Sequence, residues 1–220
     1  MIRVQSVRRD SIADELGIGA GTMLLTINGR SVRDSLDLMF YESDDCLEVE
    51  GVEPDGTPVV YDVEKDANVS LGIIPFPDKV KRCTNACPFC FVKGNPRSSR
   101  LRTGLYIKDD DYRLSFMYGH YVTLTNLREE DWERIVEQRL TPLYVSVHAT
   151  DPAARLAMLV NPRSASIGDD LDRLTAGGIS VHAQIVLCPG INDGPILEQS
   201  IEDLYQRGAT ILSLSIVPVA

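Results

Sequence analysis

The densest group of metal-binding side chains in the sequence is the stretch RCTNACPFCF, residues 82–91. Within it, Cys83, Cys87 and Cys90 follow the spacing Cys-x3-Cys-x2-Cys. A structural zinc site usually takes four ligands from two short pairs, and the sequence has no matching second pair. The spacing also differs from that of bacterial ferredoxins. Three thiolates that hold a four-iron cluster leave one iron open, and an open position lets a metal centre act on a small molecule.

The net charge of −10 is concentrated in the first third of the chain. Residues 1–78 hold 16 of the 32 Asp and Glu residues but 6 of the 22 Lys and Arg residues. Such a surface repels nucleic acids and anionic membranes, so we expect neither as a partner. Five cysteines, three of them bunched, suit a reducing cytosol better than a disulfide framework, and the N-terminus has no apolar signal core. We therefore expect a cytoplasmic protein.

The pattern of residues 1–75 predicts a small β-rich domain. Asn28-Gly29 and Asp55-Gly56 lie between apolar runs and are hairpin turn signals. Ser11 and Gly17 bound one short predicted helix, and SVRDSLDLMFYES predicts a second. The prolines at 75 and 77 indicate a connector. The predicted strands are IRVQSV, TMLLTING, CLEVEGV and PVVYDVEK.

From residue 79, apolar strands alternate with helices, which predicts a parallel sheet covered by helices. The five predicted strands are DKVKRC, GHYVTLTNL, LYVSVHA, ISVHAQIVLCPG and ILSLSIVPV. The four predicted helices are EEDWERIVEQRL, DPAARLAMLV, IGDDLDRLTAGG and GPILEQSIEDLYQRG. A closed eight-fold barrel needs about 250 residues. The predicted fold is therefore an incomplete parallel β/α barrel, and we expect the chain to be the N-terminal part of a longer protein.

The cysteine triplet, with the aromatic Phe89 directly before Cys90, resembles the signature of radical S-adenosylmethionine (SAM) enzymes. The resemblance implies that Cys83, Cys87 and Cys90 bind a 4Fe-4S cluster whose open iron binds SAM. It further implies that reductive cleavage of SAM generates a 5′-deoxyadenosyl radical. In such enzymes the cysteine loop follows the first strand of a partial barrel, which here is DKVKRC, and Phe89 is then a cofactor-binding residue.

Further blocks resemble a bacterial domain-of-unknown-function family that joins an N-terminal PDZ domain to a radical-SAM-like barrel. These blocks are SIADELGIGAGTMLLTINGRSV, RCTNACPFCF, LYIKDDDYRLSF, GHYVTLTNL, YVSVHATDP and QIVLCPGINDG. Many radical SAM enzymes hold the SAM amino group with a Gly-Gly-Glu-like motif, and TLTN stands in its place here. Asn126, together with Thr125, is the candidate for that role, and Gln184 is a second candidate contact for SAM. A PDZ domain implies a peptide ligand, with Leu71–Ile73 as the candidate carboxylate-binding loop.

Barrel active sites lie at the carboxyl ends of strands, which also selects His148 and Cys188. Position alone leaves His148 between a site residue and a structural histidine, whereas Cys188 fits a buried small hydrophobe. Asp109–Asp111, beside Arg113, are either a cation or acid–base site or turn-forming, solvated charge. The seven basic residues from Lys79 to Arg102 are expected to favour the reduced state of an anionic cluster.

The sequence thus predicts a PDZ-like domain over residues 1–75 and a partial radical-SAM-like barrel of about five strands over residues 79–220. The predicted function is a radical-SAM-type 4Fe-4S enzyme that acts on a small-molecule or protein substrate and takes electrons from a donor. The PDZ-like module would bind a peptide or dock on the barrel. The alternative is a PDZ-based adaptor whose cysteine loop holds a structural metal. The missing Gly-Gly-Glu motif leaves both hypotheses open.

Overall fold

The computed structural model of the chain describes residues 1–96, 98, 100 and 102–219. Contacts divide the chain into two units, Met1–Lys79 and Val80–Ala220. The fold is mixed α/β, with an antiparallel sheet in the first unit and a smaller parallel sheet in the second. None of the helices in the described ranges has the length and apolar character needed to cross a membrane.

The first unit is an antiparallel sheet with two short helices. Its strands are β1 (Ile2–Val7), β2 (Met23–Ile27), β3 (Arg30–Ser31), β4 (Cys46–Val52), β5 (Pro58–Glu64) and β6 (Ile73–Pro75), and its helices are α1 (Ile12–Glu15) and α2 (Ser35–Tyr41). The strand order is β5-β4-β2-β1-β6, and β3 pairs with β2. The predicted strands correspond to β1, β2, β4 and β5, because each presents alternate apolar residues to a shared core.

Local chemistry explains the turns of the first unit. Asn28 and Gly29 both have positive φ, as a two-residue hairpin turn requires, and Asn28 Oδ1 accepts from Glu48 N at 2.8 Å. Ser11 Oγ accepts from the backbone N of Asp14 at 3.3 Å and begins α1. Gly72 has φ of +84°, and a Cβ on it would lie 2.3 Å from Ser11 Cβ. That close approach therefore requires glycine.

Among the described residues, the second unit has a three-stranded parallel sheet and six α-helices. Its strands are β7 (Leu143–Ser146), β8 (Val181–Leu187) and β9 (Ile211–Pro218), in the order β7-β8-β9. Its α-helices are α3 (Phe91–Gly94), α4 (Tyr112–Tyr118), α5 (Glu129–Glu137), α6 (Pro152–Leu159), α7 (Ile167–Ala176) and α8 (Pro195–Gln206). Short 3-10 helices span Thr103–Tyr106, Pro162–Ser166 and Gly208–Thr210. The last three predicted strands and all four predicted helices therefore form.

The prediction of five parallel strands is wrong for two segments. DKVKRC and GHYVTLTNL form no strand, and each makes an isolated bridge instead. Side chains take over backbone hydrogen bonds that a ladder would have made. Asp111 Oδ2 accepts from Lys81 N at 2.9 Å, and Asp110 Oδ1 accepts from Thr123 N at 2.6 Å. GHYVTLTNL pairs with β7 at Val122 alone, whose N donates to Tyr144 O at 2.9 Å and whose O accepts from Ser146 N at 2.8 Å. The chain then turns at Leu124, with φ of +64°, so the pairing does not extend into a strand.

Helix α4 was not predicted, although its boundaries carry ordinary signals. Asp111 begins it by accepting from Arg113 N at 3.1 Å, and Gly119 ends it in the left-handed conformation with φ of +75°. A Cβ at position 119 would also lie 3.4 Å from the ring of Tyr144. The helix and its glycine stop direct the chain to His120 and Tyr121.

Candidate functional site

A cavity of about 700 Å³ lies at the carboxyl ends of the parallel strands. Its sheet wall consists of Ser146 at the end of β7, Gln184 and Val186 in β8, and Val217 in β9. The cysteine loop and residues from segments 108–110 and 119–123 form further walls. The predicted site residues that line the cavity are Cys83, Cys87, Phe89, Cys90, Asp109, Asp110, His148 and Gln184. The structure thus brings together all three cysteines and most of the predicted cofactor contacts.

The three cysteines sit in a loop held by backbone hydrogen bonds. Cys83 N donates to Lys108 O at 2.9 Å, and Cys90 N donates to Cys87 O at 3.4 Å. Cys90 then starts the single turn of α3, and Lys93 Nζ from that turn donates to Cys87 O at 3.3 Å. Cys87 is buried, whereas Cys83 and Cys90 are half-buried, and all three are free thiols. The loop therefore presents three reduced sulfur atoms to one cavity.

The surroundings favour the protonated form of the free thiols. Burial, assisted by the nearby carboxylate of Asp110, raises the pKa of Cys83 to about 11. Burial also raises the pKa of Cys87, although Lys108 and Lys93 act in the opposite direction. A metal needs thiolates, so its binding here must displace protons. The two lysines are the positive charges that would then offset the thiolates.

A buried hydrogen-bond network centred on the side chain of Asn85 supports the cysteine loop. Asn85, two residues after Cys83, donates from Nδ2 to Thr123 Oγ1 at 2.8 Å. Its Oδ1 accepts from Thr125 Oγ1 at 2.9 Å and from Asn161 Nδ2 at 2.7 Å. Its backbone carbonyl accepts from Lys108 Nζ at 2.6 Å. Asn85 therefore fixes the loop against three other segments, because every polar atom of its side chain is bonded.

The three consecutive aspartates have three separate environments. Asp109 faces the ring of His120, and Asp110 accepts from Thr123 Oγ1 at 2.6 Å. Asp111 accepts from Arg113 Nη2 at 2.7 Å and is fully buried. Burial alone would raise the pKa of Asp111, but the hydrogen bonds from Arg113 and from Lys81 N bring it below its usual value. They are therefore neither one cation site nor solvated turn charges.

Arg155 is a fully buried cation that joins the segments around the cavity. Its guanidinium donates to four carbonyl oxygens, those of Val147 at 2.8 Å, Ser164 at 2.6 Å, Thr123 at 2.9 Å and Ser146 at 3.1 Å. Burial lowers its pKa to about 10, so the side chain stays charged at neutral pH. It thereby supplies a fixed positive charge and holds the end of β7 in place.

His148 follows β7 with a left-handed backbone, φ of +65°, and lines the cavity. Its Nδ1 accepts from Val186 N at 3.2 Å, and its ring makes an edge contact with Phe89 at 5.2 Å between centroids. Burial, with the charge of Arg155, lowers the pKa of His148 to about 3. Asn192 Nδ2 donates to His148 O at 2.7 Å and fixes this turn. His148 is therefore neutral and held in one orientation.

Asn126 is not among the residues that line the cavity. Its Nδ2 donates to Asp110 O at 2.8 Å and to Arg82 O at 3.3 Å, so the side chain ties its own segment to DKVKRC and to the aspartate segment. Its Oδ1 is buried and has no hydrogen-bond partner within the described part of the chain. The geometry thus assigns Asn126 a supporting position, and its predicted contact with SAM stays a prediction.

The remaining predicted residues divide between the cavity and the packing around it. Cys188 is buried and outside the cavity lining, and its backbone N donates to Asn192 Oδ1 at 2.7 Å. In the basic segment, Lys81 pairs with Asp131, while Lys93 donates to the carbonyl of Cys87 in the cysteine loop. Arg97 lies outside the described residues.

Residues 64–214 match the family profile described as a radical SAM-like domain. The match starts at the end of β5 and ends within β9, so it covers more than half of the chain and includes the whole cysteine loop. The chain belongs to the radical SAM-like family. No curated protein matches it.

Membership of the radical SAM-like family suggests an iron–sulfur cluster, and the three free cysteines of the loop are its candidate ligands. Across the described ranges, no group of three or more His, Cys, Asp or Glu side chains is arranged to hold one ion. A cluster distributes its thiolate ligands over different iron atoms, so the sulfur atoms need to share a cavity rather than converge on one point. Cys83, Cys87 and Cys90 meet that condition.

The candidate carboxylate-binding loop of the first unit is already engaged by the unit's own side chains. Leu71 N donates to Glu42 Oε2 at 3.0 Å, and Gly72 N donates to Ser70 Oγ at 3.2 Å. Ile73 belongs to β6. A peptide carboxylate at this loop would therefore have to displace Glu42.

Several residues that build the radical SAM-like site were missed from sequence. Arg155 carried a usable signal, because it occupies the buried stripe of α6 with Ala154, Met158 and Leu159. An arginine on an apolar helix face predicts a buried cation that needs partners. His120 lacked such a signal, since it follows α4 in a short connection.

Proposed function

We propose that the chain is a radical-SAM-type iron–sulfur protein whose reaction takes place in the 700 Å³ cavity. The observation that carries the proposal is the convergence of Cys83, Cys87 and Cys90 on that cavity, in a chain of the radical SAM-like family. Parallel α/β folds place their sites at the carboxyl ends of strands, which is where this cavity lies.

Each lining residue has a definable part in this proposal. Cys83, Cys87 and Cys90 would hold a 4Fe-4S cluster, and Phe89 and Gln184 are the candidate contacts for SAM. The cluster and SAM, when bound, supply the radical chemistry that amino-acid side chains lack. Arg155 contributes a positive charge near an anionic cluster, which favours the reduced state.

The rest of the unit keeps water from the reacting group and holds the loop. Phe89, Val186 and Val217 give the cavity apolar surface beside the cysteines. A water-poor site protects a reactive intermediate from side reactions. The Asn85 network prevents the loop from closing on itself, because it ties the segment between Cys83 and Cys87 to Thr123 and Thr125.

Assembly of the cluster under anaerobic conditions tests the proposal. We expect brown protein with about four irons per chain. Cys87→Ala should lose most of the iron, since two thiolates hold a cluster poorly. Cys46→Ala is the matched control, because Cys46 is a free cysteine in the first unit; it should keep the wild-type iron content. One zinc per chain in place of iron, or equal iron loss in both variants, would overturn the proposal.

For the first unit we propose a PDZ-like module that binds a peptide or docks on the barrel. Its support is the sequence resemblance together with an antiparallel sheet and two helices within Met1–Lys79. The radical reaction would further need an electron donor as partner. The alternative function is an adaptor whose cysteine loop holds a structural metal, and one zinc per chain in the assembly experiment would favour it.

A further inference from the structure

Asp109 and His120 form a paired acid and base on the wall of the cavity. Nδ1 of His120 lies 2.9 Å from Asp109 Oδ2, and the His120 side chain is 48% exposed. An ionised carboxylate accepts hydrogen bonds but donates none, so Nδ1 must carry the ring proton. The neutral ring of His120 therefore has its free lone pair on Nε2.

His148, on the same cavity, has the opposite tautomer. The Val186 backbone N–H donates to Nδ1 of His148 at 3.2 Å, so Nδ1 holds the lone pair and the proton sits on Nε2. A protonated ring would lose this hydrogen bond and would place a charge in a buried position, which agrees with a pKa lowered to about 3. His148 therefore remains a neutral donor.

Both orientations are fixed by elements outside the two rings. The Asp109 backbone bridges to Arg82 at the start of the cysteine loop, which holds the carboxylate in place. His148 is held by Asn192, whose Nδ2 donates to the His148 carbonyl at 2.7 Å and to Val186 O at 2.9 Å. Turning over the His120 ring would break its hydrogen bond with Asp109 Oδ2, and turning over the His148 ring would break the bond that it accepts from Val186 N. These two contacts therefore select the tautomers.

We propose that His120 Nε2 is a proton acceptor and His148 Nε2–H a hydrogen-bond donor for the substrate of this cavity. The ligand is then a polar molecule with an ionisable O–H or N–H group and a lone-pair acceptor. In the transfer, a bond forms between His120 Nε2 and the proton, and the substrate O–H or N–H bond breaks with its electron pair left on the substrate. Asp109 is a positioning residue that stabilises the resulting imidazolium, and His148 keeps its proton.

The sequence has three histidines, so the nitrogen signals of each ring can be assigned and its tautomer observed directly. Long-range proton–nitrogen spectra of the full, iron-free chain are recorded well above the ordinary imidazole pKa of about 6.5. We expect Nδ1–H for His120 and Nε2–H for His148. Asp109→Ala should move His120 toward the Nε2–H form that free imidazole side chains prefer, and His148 should not change. Asp62→Ala, an exposed aspartate of the first unit, is the matched control.

An Nε2–H tautomer for His120 in the wild type, or no change in Asp109→Ala, would overturn the assignment. A second measurement covers the iron-loaded chain and does not depend on a variant that folds. Diethyl pyrocarbonate acylates unprotonated ring nitrogens, so His120 should react at least roughly tenfold faster than His148. Equal rates would contradict the proposal. The inference rests on the proposed function for its reaction site, but the spectra need neither iron nor SAM, so its failure would leave the iron-binding result intact.

Discussion

The two units differ in how many polar side chains they bury. Among the described residues of the first unit, the buried polar side chains are Thr22, Asp34 and Asp37. The second unit buries many more, including Asn85, Asp110 and Arg155 around the cavity. The sheet of the first unit satisfies its own backbone through strand pairing, whereas the segments around the cavity leave regular structure and use side chains for that purpose.

That difference indicates that the second unit accepts a loss of stability in order to position polar groups around the cavity. A buried polar group stabilises the fold only while all its partners are present, and each unsatisfied group costs about 1–3 kcal/mol. A cavity that holds reactive groups requires such networks, because an apolar wall could not orient thiols and imidazoles. The second unit should therefore be more sensitive than the first to the loss of single polar side chains.

The strongest test of this contrast is Arg155→Met. The change leaves four carbonyl oxygens without their donor, and we expect the second unit to lose about 3–5 kcal/mol of unfolding free energy. Trp132 is the only tryptophan and belongs to α5, so its fluorescence reports on the second unit alone. Hydrogen exchange of β1 to β5 should stay as in the wild type.

Arg173→Met is the matched control for that experiment. Arg173 pairs with Glu129 at the surface and stacks on Trp132 at 4.9 Å. Since exposed ion pairs and cation–π contacts each contribute up to about 1 kcal/mol, the loss should be far smaller than for Arg155. Equal losses in the two variants would mean that buried polar contacts do not distinguish this unit.

A smaller effect is expected at the boundary of the first unit. Asp78 accepts from Ser35 N at 3.1 Å, and Phe76 N donates to Arg3 O at 2.9 Å. A fragment of residues 1–79 should unfold cooperatively, and one of residues 1–75 should be less stable by about 2 kcal/mol. Urea denaturation measures both. Asp78→Ala in the longer fragment should reproduce about half of the loss, and indistinguishable fragments would show that the unit ends at residue 75.

Near pH 6, the smallest effect is the loss of stability caused by His148. Its pKa is about 3 in the fold, well below the ordinary value, so the unfolded chain binds a proton that the folded chain excludes. Stability should therefore fall as pH drops below about 6.5, by up to about 1.4 kcal/mol per pH unit. His148→Gln lacks this titration, and the stability difference between it and the wild type should narrow on acidification. A constant difference from pH 7 to pH 5 would place the histidine in a solvated site.

Much of the fold follows from local sequence. The Asn28-Gly29 turn, the Ser11 cap and the alternating apolar residues of β4 predict structure because each signal acts within a few residues. The mostly apolar segments of β8 and β9, which alternate with helices, predict a parallel sheet for the same reason. The spacing of the three cysteines was likewise enough to identify the loop that lines the cavity.

Tertiary structure decided the features whose partners lie far along the chain. DKVKRC and GHYVTLTNL have strand-like composition, yet each pairs with its neighbour at a single bridge. Asp111 and Asp110 accept one backbone N–H from each segment, from 30 and 13 residues away. The tautomer of His148 depends on Val186, 38 residues further on. A sequence pattern depends only on residues that are close together in the chain. A buried hydrogen bond instead depends on which distant groups the fold brings within about 3 Å. The sequence by itself therefore determined the cysteine loop, and the fold decided which distant residues join it and how their protons are placed.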